Sequence, residues 1–509
     1  MKRHIHMLAS RHYDRQRHSL ENQPCMSNSS PRNHHTQQAA PGATIARYSP
    51  LLAFIMAMAT FMQNLDGAII NTSLPAMARS FGVRTLDLSL GVTAYMLASA
   101  AISPVSAWLA MKYGEKRVMW VAMLLFTFSS FLCGIAHGLG AFVCARIGQG
   151  LAGAVMMPVG MSIILRHTPK SDLLKAQSVT VWPALSAPII GPVLGGYLTQ
   201  TVGWRWNFWL NLPVGLIAVF CVLRVVPAES PEGAPRLDVR GFGLSALSLT
   251  CLLSGLQRSA ETGTARFVAL GLMGIGAVTG VAAIRHLRRH PTPILSLAPL
   301  KRASLRYASL YPGLIFRAVF SSAPFLLPLF FQLGFGFSPA RAGTWLLAYF
   351  CANLGIKPAT SAIIRWAGFR NVLFFNGFLV CASLLPFVFL TPDTPAIVLG
   401  LSLAFAGMTR SLQLTSLSTI AFADVGQDER SRAASVMSIL GQTGSTAGVA
   451  ITAFCLTVLE RVYGHETVSL KELHIAFFIT AVFVLVGTLG FGKMPADIGR
   501  EVSGHGLRR

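Results

Sequence analysis

Of nineteen Asp and Glu residues in a chain of 509, only Asp66 lies well inside a long apolar segment, while Glu460 stands at the end of another. A carboxylate in hydrocarbon is costly to ionise, so it turns to a protein interior or a water-filled cavity and marks a candidate functional position. Desolvation favours the protonated form of such a group, and a lone carboxyl can then load and release a proton near neutral pH. The bland alternative is a carboxylate paired permanently with a basic residue for packing. Four basic residues share the apolar segments with it: Arg146, Arg317, Lys357 and Arg410. This surplus of cations needs a reason.

The surroundings of Asp66, Gln63-Asn64-Leu65-Asp66-Gly67-Ala68-Ile69-Ile70-Asn71, add amides that require partners. Asn64, Gly67 and Asn71 recur at helical spacing and Gln63 precedes Asp66 by one turn, so one polar face is expected, turned away from lipid. Arg146 heads Arg146-Ile147-Gly148-Gln149-Gly150-Leu151-Ala152-Gly153-Ala154, where small residues allow close helix approach and leave Arg146 and Gln149 facing inward. Asp66 and Arg146 are the candidates for proton coupling. Gln63, Asn64, Asn71, Gln149, Arg317 and Arg410 are candidates for lining a substrate cavity. For Arg317 and Arg410 a helix C-terminus is an equally good partner, and Lys357, just before Pro358, is close enough to the cytoplasm to snorkel. Downstream, Pro188, Gly191, Pro192, Gly195 and Gly196 remove backbone hydrogen bonds and bulk from one segment, as a pliable gate requires; a packing kink is the static alternative. Phe61, Met62, Phe316, Phe320, Phe325 and Phe331 offer apolar surface for a broad pocket, although packing explains most of them.

The elements that must position these residues are membrane helices. With 53% hydrophobic and 12% charged residues and a mean hydropathy of +0.55, the chain is too apolar for soluble domains. Its apolar residues fall in blocks of about twenty, the length that crosses a hydrocarbon core as a helix. Such blocks lie near 50–72, 88–111, 118–137, 139–165, 176–200, 206–227, 240–257, 266–284, 306–332, 341–363, 369–390, 395–418, 433–459 and 473–492. The net charge of +23 would suggest nucleic acid in a soluble protein. Here most Lys and Arg residues fall in the tails and alternate loops, which satisfies the positive-inside rule for about fourteen spans with both termini cytoplasmic. Arg285, Arg288, Arg289, Lys301, Arg302 and Arg306 then anchor to the inner leaflet, and no nucleic-acid partner is expected.

Charged stretches after the sixth and eighth spans divide the chain into a basic cytoplasmic tail (1–48), a six-helix bundle (49–227), a linker with two extra spans (228–304), a second six-helix bundle (305–493) and a short tail (494–509). Tail 1–48 is expected to be disordered, its histidines are too irregularly spaced for a metal site, and Met26 is an alternative start. Seven scattered cysteines in the spans read as small buried residues. A weak internal repeat is visible: Lys112, Gly114, Glu115, Lys116 and Arg117 between the second and third spans have a counterpart in Arg365-Trp366-Ala367-Gly368-Phe369-Arg370 between the tenth and eleventh. Matching turns in both halves favour a repeated transporter with its site near the midplane.

From Leu51 to Lys493 the chain resembles the major facilitator superfamily, in its fourteen-span drug:proton antiporter branch (EmrB/QacA type). Leu65 to Pro75, LDGAIINTSLP, resembles the first-span LDxTIVNVALP and implies that Asp66 is the family's embedded acid. RIGQGLAGA resembles the fourth-span RxxQGxGgA and implies a proton-transfer role for Arg146. IIGPVLGG resembles the antiporter motif GPxxGPxxGG, and WRWNFWLNLPVG (Trp204 to Gly215) resembles the WRWxFxINxPxG that opens the sixth span. The inner-gate motif GWLADRxGRR departs: its glycine is Ala107 and its aspartate, which in the family locks the gate, is Met111, with Glu115 a candidate substitute. The first glycine of the antiporter motif is Ala187, and the threonine after the first-span aspartate is Gly67.

The expected protein is therefore an all-α polytopic transporter of the bacterial inner membrane, in which proton entry drives export of amphipathic small molecules. Its expected partners are substrate, protons and the bilayer, with a periplasmic adaptor protein as a further candidate. An anionic or neutral metabolite is the alternative cargo, which the interior cations would suit. A channel lacks a filter-like repeat, and a non-transporting sensor lacks a signalling domain. No enzyme activity, cofactor or metal is expected, since no metal constellation, nucleotide-binding loop or nucleophile motif accompanies the spans.

Overall fold

The computed structural model describes residues 50–168, 173–228, 236–259, 264–291, 293–426, 429–464, 468–495 and 497–500. The tail 1–48, with its histidines and Met26, and most of 494–509 lie outside these described residues. Those described contain helices and turns and no strand, as hydrocarbon demands, since a helix satisfies every backbone polar group within one segment.

The first half consists of α1 (Pro50–Phe81), α2 (Ser89–Ile102), α3 (Ser106–Tyr113), α4 (Glu115–Ile135), α5 (Leu139–His167), α6 (Leu173–Thr201), the short α7 (Trp206–Trp209) and α8 (Asn211–Val225). The extra pair is α9 (Val239–Arg258) and α10 (Thr264–Arg289). The second half holds α11 (Ala303–Ser309), α12 (Gly313–Leu329), α13 (Pro339–Gly355), α14 (Lys357–Leu384), α15 (Ala396–Ile420), α16 (Arg430–Tyr463) and α17 (Leu470–Gly492). Among the described residues, twelve helices are long and apolar enough to cross a membrane. Helices α6 and α13 are not among them, yet they occupy the places of the fifth and tenth expected segments.

Helices α6 and α13 pack against each other between the halves. A Cβ on Gly196 would collide with the carbonyl oxygen of Pro339, and one on Gly343 with that of Pro192. Helices that meet at backbone distance need small residues. Lipid, by contrast, faces the extra pair, where Phe267 is 76% and Val278 70% exposed. Helices α9 and α10 pack mainly on each other, and α9 leans on α2 and α16.

The internal repeat has a backbone counterpart. Gly114, between α3 and α4, has φ 86° and ψ 141°, and Gly368, where two helices meet within α14, has φ 76° and ψ 158°. An L side chain is strained in that region, so glycine is required at both turns. Inside each half, α1 packs on α6 and α4 on α5 and α8, while α12 packs on α16 and α14 on α15 and α17. Phe316, Phe320, Phe325 and Phe331 are buried in the larger hydrophobic core and Met62 in a second one, so packing accounts for these five.

Further contacts between the halves lie toward the outer ends of the helices. Gln332 Nε2 donates to the Thr72 carbonyl (2.9 Å), and Arg84 Nη1 approaches Glu460 Oε2 at 3.7 Å.

Candidate proton and substrate site

Asp66 on α1 and Arg146 on α5 meet across eighty residues of sequence. Arg146 Nη1 donates to Asp66 Oδ2 at 2.6 Å, and both residues are almost fully buried. The small residues of RIGQGLAGA permit this approach. Gly153 leaves room for the Gln63 side chain, whose Nε2 donates to the Gly153 carbonyl, and Gly150 lies against the Tyr95 carbonyl of α2. Gln149 Nε2 donates to Asp66 Oδ1 (2.8 Å), while Gln149 Oε1 accepts from Arg146 Nη1 (2.6 Å). Asn211, the first residue of α8, adds a donor to Asp66 Oδ1 (3.3 Å) and another to Ser130 Oγ (3.1 Å). The Tyr95 ring covers the guanidinium, with 4.3 Å from Arg146 Cζ to its centre. A buried, charge-assisted network of this kind locks the two side chains together, and removing one partner of such a pair costs about 3–5 kcal/mol.

This geometry bears on two expectations and adds a residue to the network. Gln149, a candidate for the cavity wall, is buried as a bridge between the two charges. The polar band of α1 divides between two faces: Gln63 and Asp66 turn to α5, whereas Asn71 Nδ2 bonds the Gly67 carbonyl of its own helix (3.3 Å) and Asn64 has no hydrogen bond among the described residues. No atom lies within 4 Å of a Cβ placed on Gly67, so this second face is open there. Asn211 escaped the sequence reading because its motif identified a branch, while its amide contacts depend on tertiary packing. Its neighbour Asn207 donates to Ser73 Oγ (2.5 Å), Thr199 Oγ1 (2.8 Å) and the Gly195 carbonyl (3.3 Å), tying α7 to α1 and α6.

The Gly-Pro segment of α6 lies between α1 and α13. Gly191 faces Ala68 and Gly195 faces Thr72 and Ile69, while Pro192 and Gly196 meet α13. Pro188 lies within the same helix. This segment is thus the joint between the helix that carries Asp66 and the opposite half.

At the inner loop Glu115 is buried, accepts from Ser162 and pairs with Arg166 Nε at 3.1 Å. Its partners belong to the same half. Lys112 Nζ stands 4.6 Å from the Trp108 ring centre, Lys116 is half-buried, and Met111 and Arg117 are exposed. In the second half Arg410 Cζ is 5.8 Å from the Phe320 ring centre and 5.9 Å from that of Tyr349. Arg317 lies beside Gly441 of α16, where an added Cβ would stand 3.0 Å from its Nη1.

The extra helices also bring together a cluster absent from the sequence reading, which expected no metal site. Asp238, His286 and His290 place potential ligand atoms within 4.8 Å of one another. The Asp238 carboxylate caps α9 through the Gly241 N–H (2.8 Å) and accepts from His286 Nε2 (2.8 Å) and the Ile294 N–H (3.4 Å). Desolvation pushes its affinity for protons up, but the hydrogen bonds from Gly241, His286 and Ile294 outweigh it and hold the carboxyl below its ordinary range. These contacts account for the carboxylate without an ion.

The sequence pattern of the Major Facilitator Superfamily matches residues 56–449. The chain belongs to the major facilitator superfamily. It is 30% identical over 456 residues to a protein of Enterobacter sp. (strain 638) that carries the name multidrug resistance protein MdtD, covering 88% of this chain and 95% of that one. The namesake from Escherichia coli O139:H28 (strain E24377A / ETEC) is 30% identical over 460 residues, 88% and 96% of the two chains. Among solved structures, a point mutant of the nucleoside transporter NupG superposes with a TM-score of 0.62 at 14% identity over 87% of this chain and 99% of its own. The peptide transporter POT gives 0.62 at 14% over 89% and 97%. At these identities the superpositions establish the major facilitator fold.

Proposed function

We propose that this protein is a proton-coupled secondary transporter of the bacterial inner membrane that exports amphipathic small molecules, as a multidrug efflux carrier does. The observation that carries the reading is the buried Asp66–Arg146 pair, the interior carboxylate held against a cation on another helix. The name of the MdtD relatives supports the cargo class.

A proton that reaches Asp66 cancels the charge that seats α1 on α5. Helix α1 also rests on the α6 glycines, and the far side of α6 is the joint with α13. Neutralising the pair therefore loosens both seats and lets the two halves (49–227 and 305–493) rock. Moving a two-state equilibrium from 1:99 to 99:1 takes about 5.5 kcal/mol. Loss of a buried charge pair supplies about 3–5 kcal/mol, and each charge that crosses the membrane adds about 2.3 kcal/mol per 100 mV. The magnitudes suffice.

The test is substrate-driven proton movement in proteoliposomes under an imposed pH gradient, wild type against Asp66→Asn. The variant is expected to lose coupling; coupling at the wild-type level would sink the mechanism.

A further inference from the structure

The second half gathers half-buried positive charge that has no acid beside it among the described residues. Arg317 on α12, Lys357 at the start of α14 and Arg410 on α15 have no ion-pair partner among the described residues. Arg317 Nε and Nη2 and Arg410 Nε are buried, and no acceptor among the described residues reaches them. The Asn353 amide nitrogen, one turn before Lys357, is in the same condition. Arg410 borders Phe320, which is one helical turn from Arg317, and the Asn353 backbone lies against Gly407, one turn before Arg410. These unfilled nitrogens are donors, carried by two guanidinium groups and one amide, beside the aromatic rings of Phe320 and Tyr349.

Leaving buried donors unpaired is expensive, and an unpaired interior charge more so. Contrast Arg146 in the first half, which has its carboxylate. Donors without acceptors match a carboxylate or sulfonate, whose oxygens accept from guanidinium in pairs.

We propose that Arg317 and Arg410, with Lys357 and Asn353, form the recognition site for the charged head of an amphipathic organic anion, a carboxylate or sulfonate. The substrate site then lies in the half opposite the proton site. The proposal deepens the transport reading above and rests on it for the word substrate. Proton and cargo do not compete for Asp66; coupling runs through the α6–α13 joint. Export of an anion against entry of a proton also moves net positive charge inward twice, so an inside-negative potential drives it.

The test is equilibrium binding of two xanthene dyes of similar size, anionic fluorescein and cationic rhodamine 6G, to the full chain in phosphatidylcholine nanodiscs. Fluorescein is expected to bind about tenfold tighter than rhodamine 6G, and Arg317→Gln or Arg410→Gln to weaken it about tenfold or more. Arg317→Lys and Arg410→Lys, which keep the charge, should retain more affinity than the Gln variants and show that the loss is not misfolding. Rhodamine 6G bound as tightly as fluorescein, or fluorescein affinity unchanged in both Gln variants, overturns the proposal. So does displacement of fluorescein by phosphatidylglycerol headgroup added as glycerol phosphate, which would assign the cluster to lipid. Binding is read without a gradient, so failure of proton coupling in proteoliposomes removes the transport reading and leaves this result standing.

Discussion

Alanine at Gly196 or Gly343 is expected to open the joint between the halves. A Cβ on Gly196 would stand 2.7 Å from the carbonyl carbon of Pro339 and 3.0 Å from Cα of Ala340. One on Gly343 would stand 2.8 Å from the carbonyl carbon of Pro192 and 3.1 Å from Cα of Val193. These neighbours are backbone, which cannot rotate aside, so α6 and α13 must separate. Overpacking of this kind costs about 1–3 kcal/mol, which corresponds to about five- to 150-fold in the population of the arrangement seen here. Both contacts lie toward the outer ends of the two helices, so the shift favours a state open on that side. The assay is electron-spin distance measurement between labels at the outer ends of α6 and α13 in a cysteine-free background. Gly196→Ala and Gly343→Ala should each move weight to longer distances, and the double variant should fall short of the sum, because the two contacts share one joint. Distance distributions identical to wild type in both variants would refute the argument that glycine is there for backbone approach.

Two further outcomes are expected. Asn211→Leu deletes donors to Asp66 and Ser130; a loss of about 1–3 kcal/mol should lower the apparent melting temperature by a few degrees in detergent, and an unchanged value would remove Asn211 from the network. Asp238→Ala removes the cap of α9 and the His286 contact, at about 1 kcal/mol. Because folding holds the Asp238 carboxyl below its ordinary range, its contribution is complete above the unfolded value and is lost as pH falls through the folded one. The melting difference between wild type and this variant should therefore persist at neutral pH and narrow below about pH 4; a difference independent of pH would contradict the ionised cap.

The sequence by itself determined the solvent of this protein and the places where backbone must bend. Block length and basic loops answer to the thickness and charge asymmetry of a membrane, so the helical segments were legible, as were Gly114 and Gly368, whose turns only glycine adopts without strain. Asp66 was legible too, because an acid in an apolar block is rare enough to signal by its presence. Partner choice was another matter. That Asp66 meets Arg146, that Gln149 bridges them while Asn64 does not, and that Asn211 joins from α8 are decided by helix packing between segments distant in the chain. The same holds for Gly196 against Pro339 and Gly343 against Pro192, whose purpose appears only when two helices lie at backbone distance. Composition counted the surplus cations; tertiary structure decided which of them have a carboxylate and which are left as bare donors beside aromatic rings, because pairing depends on position across helices and not on spacing within one.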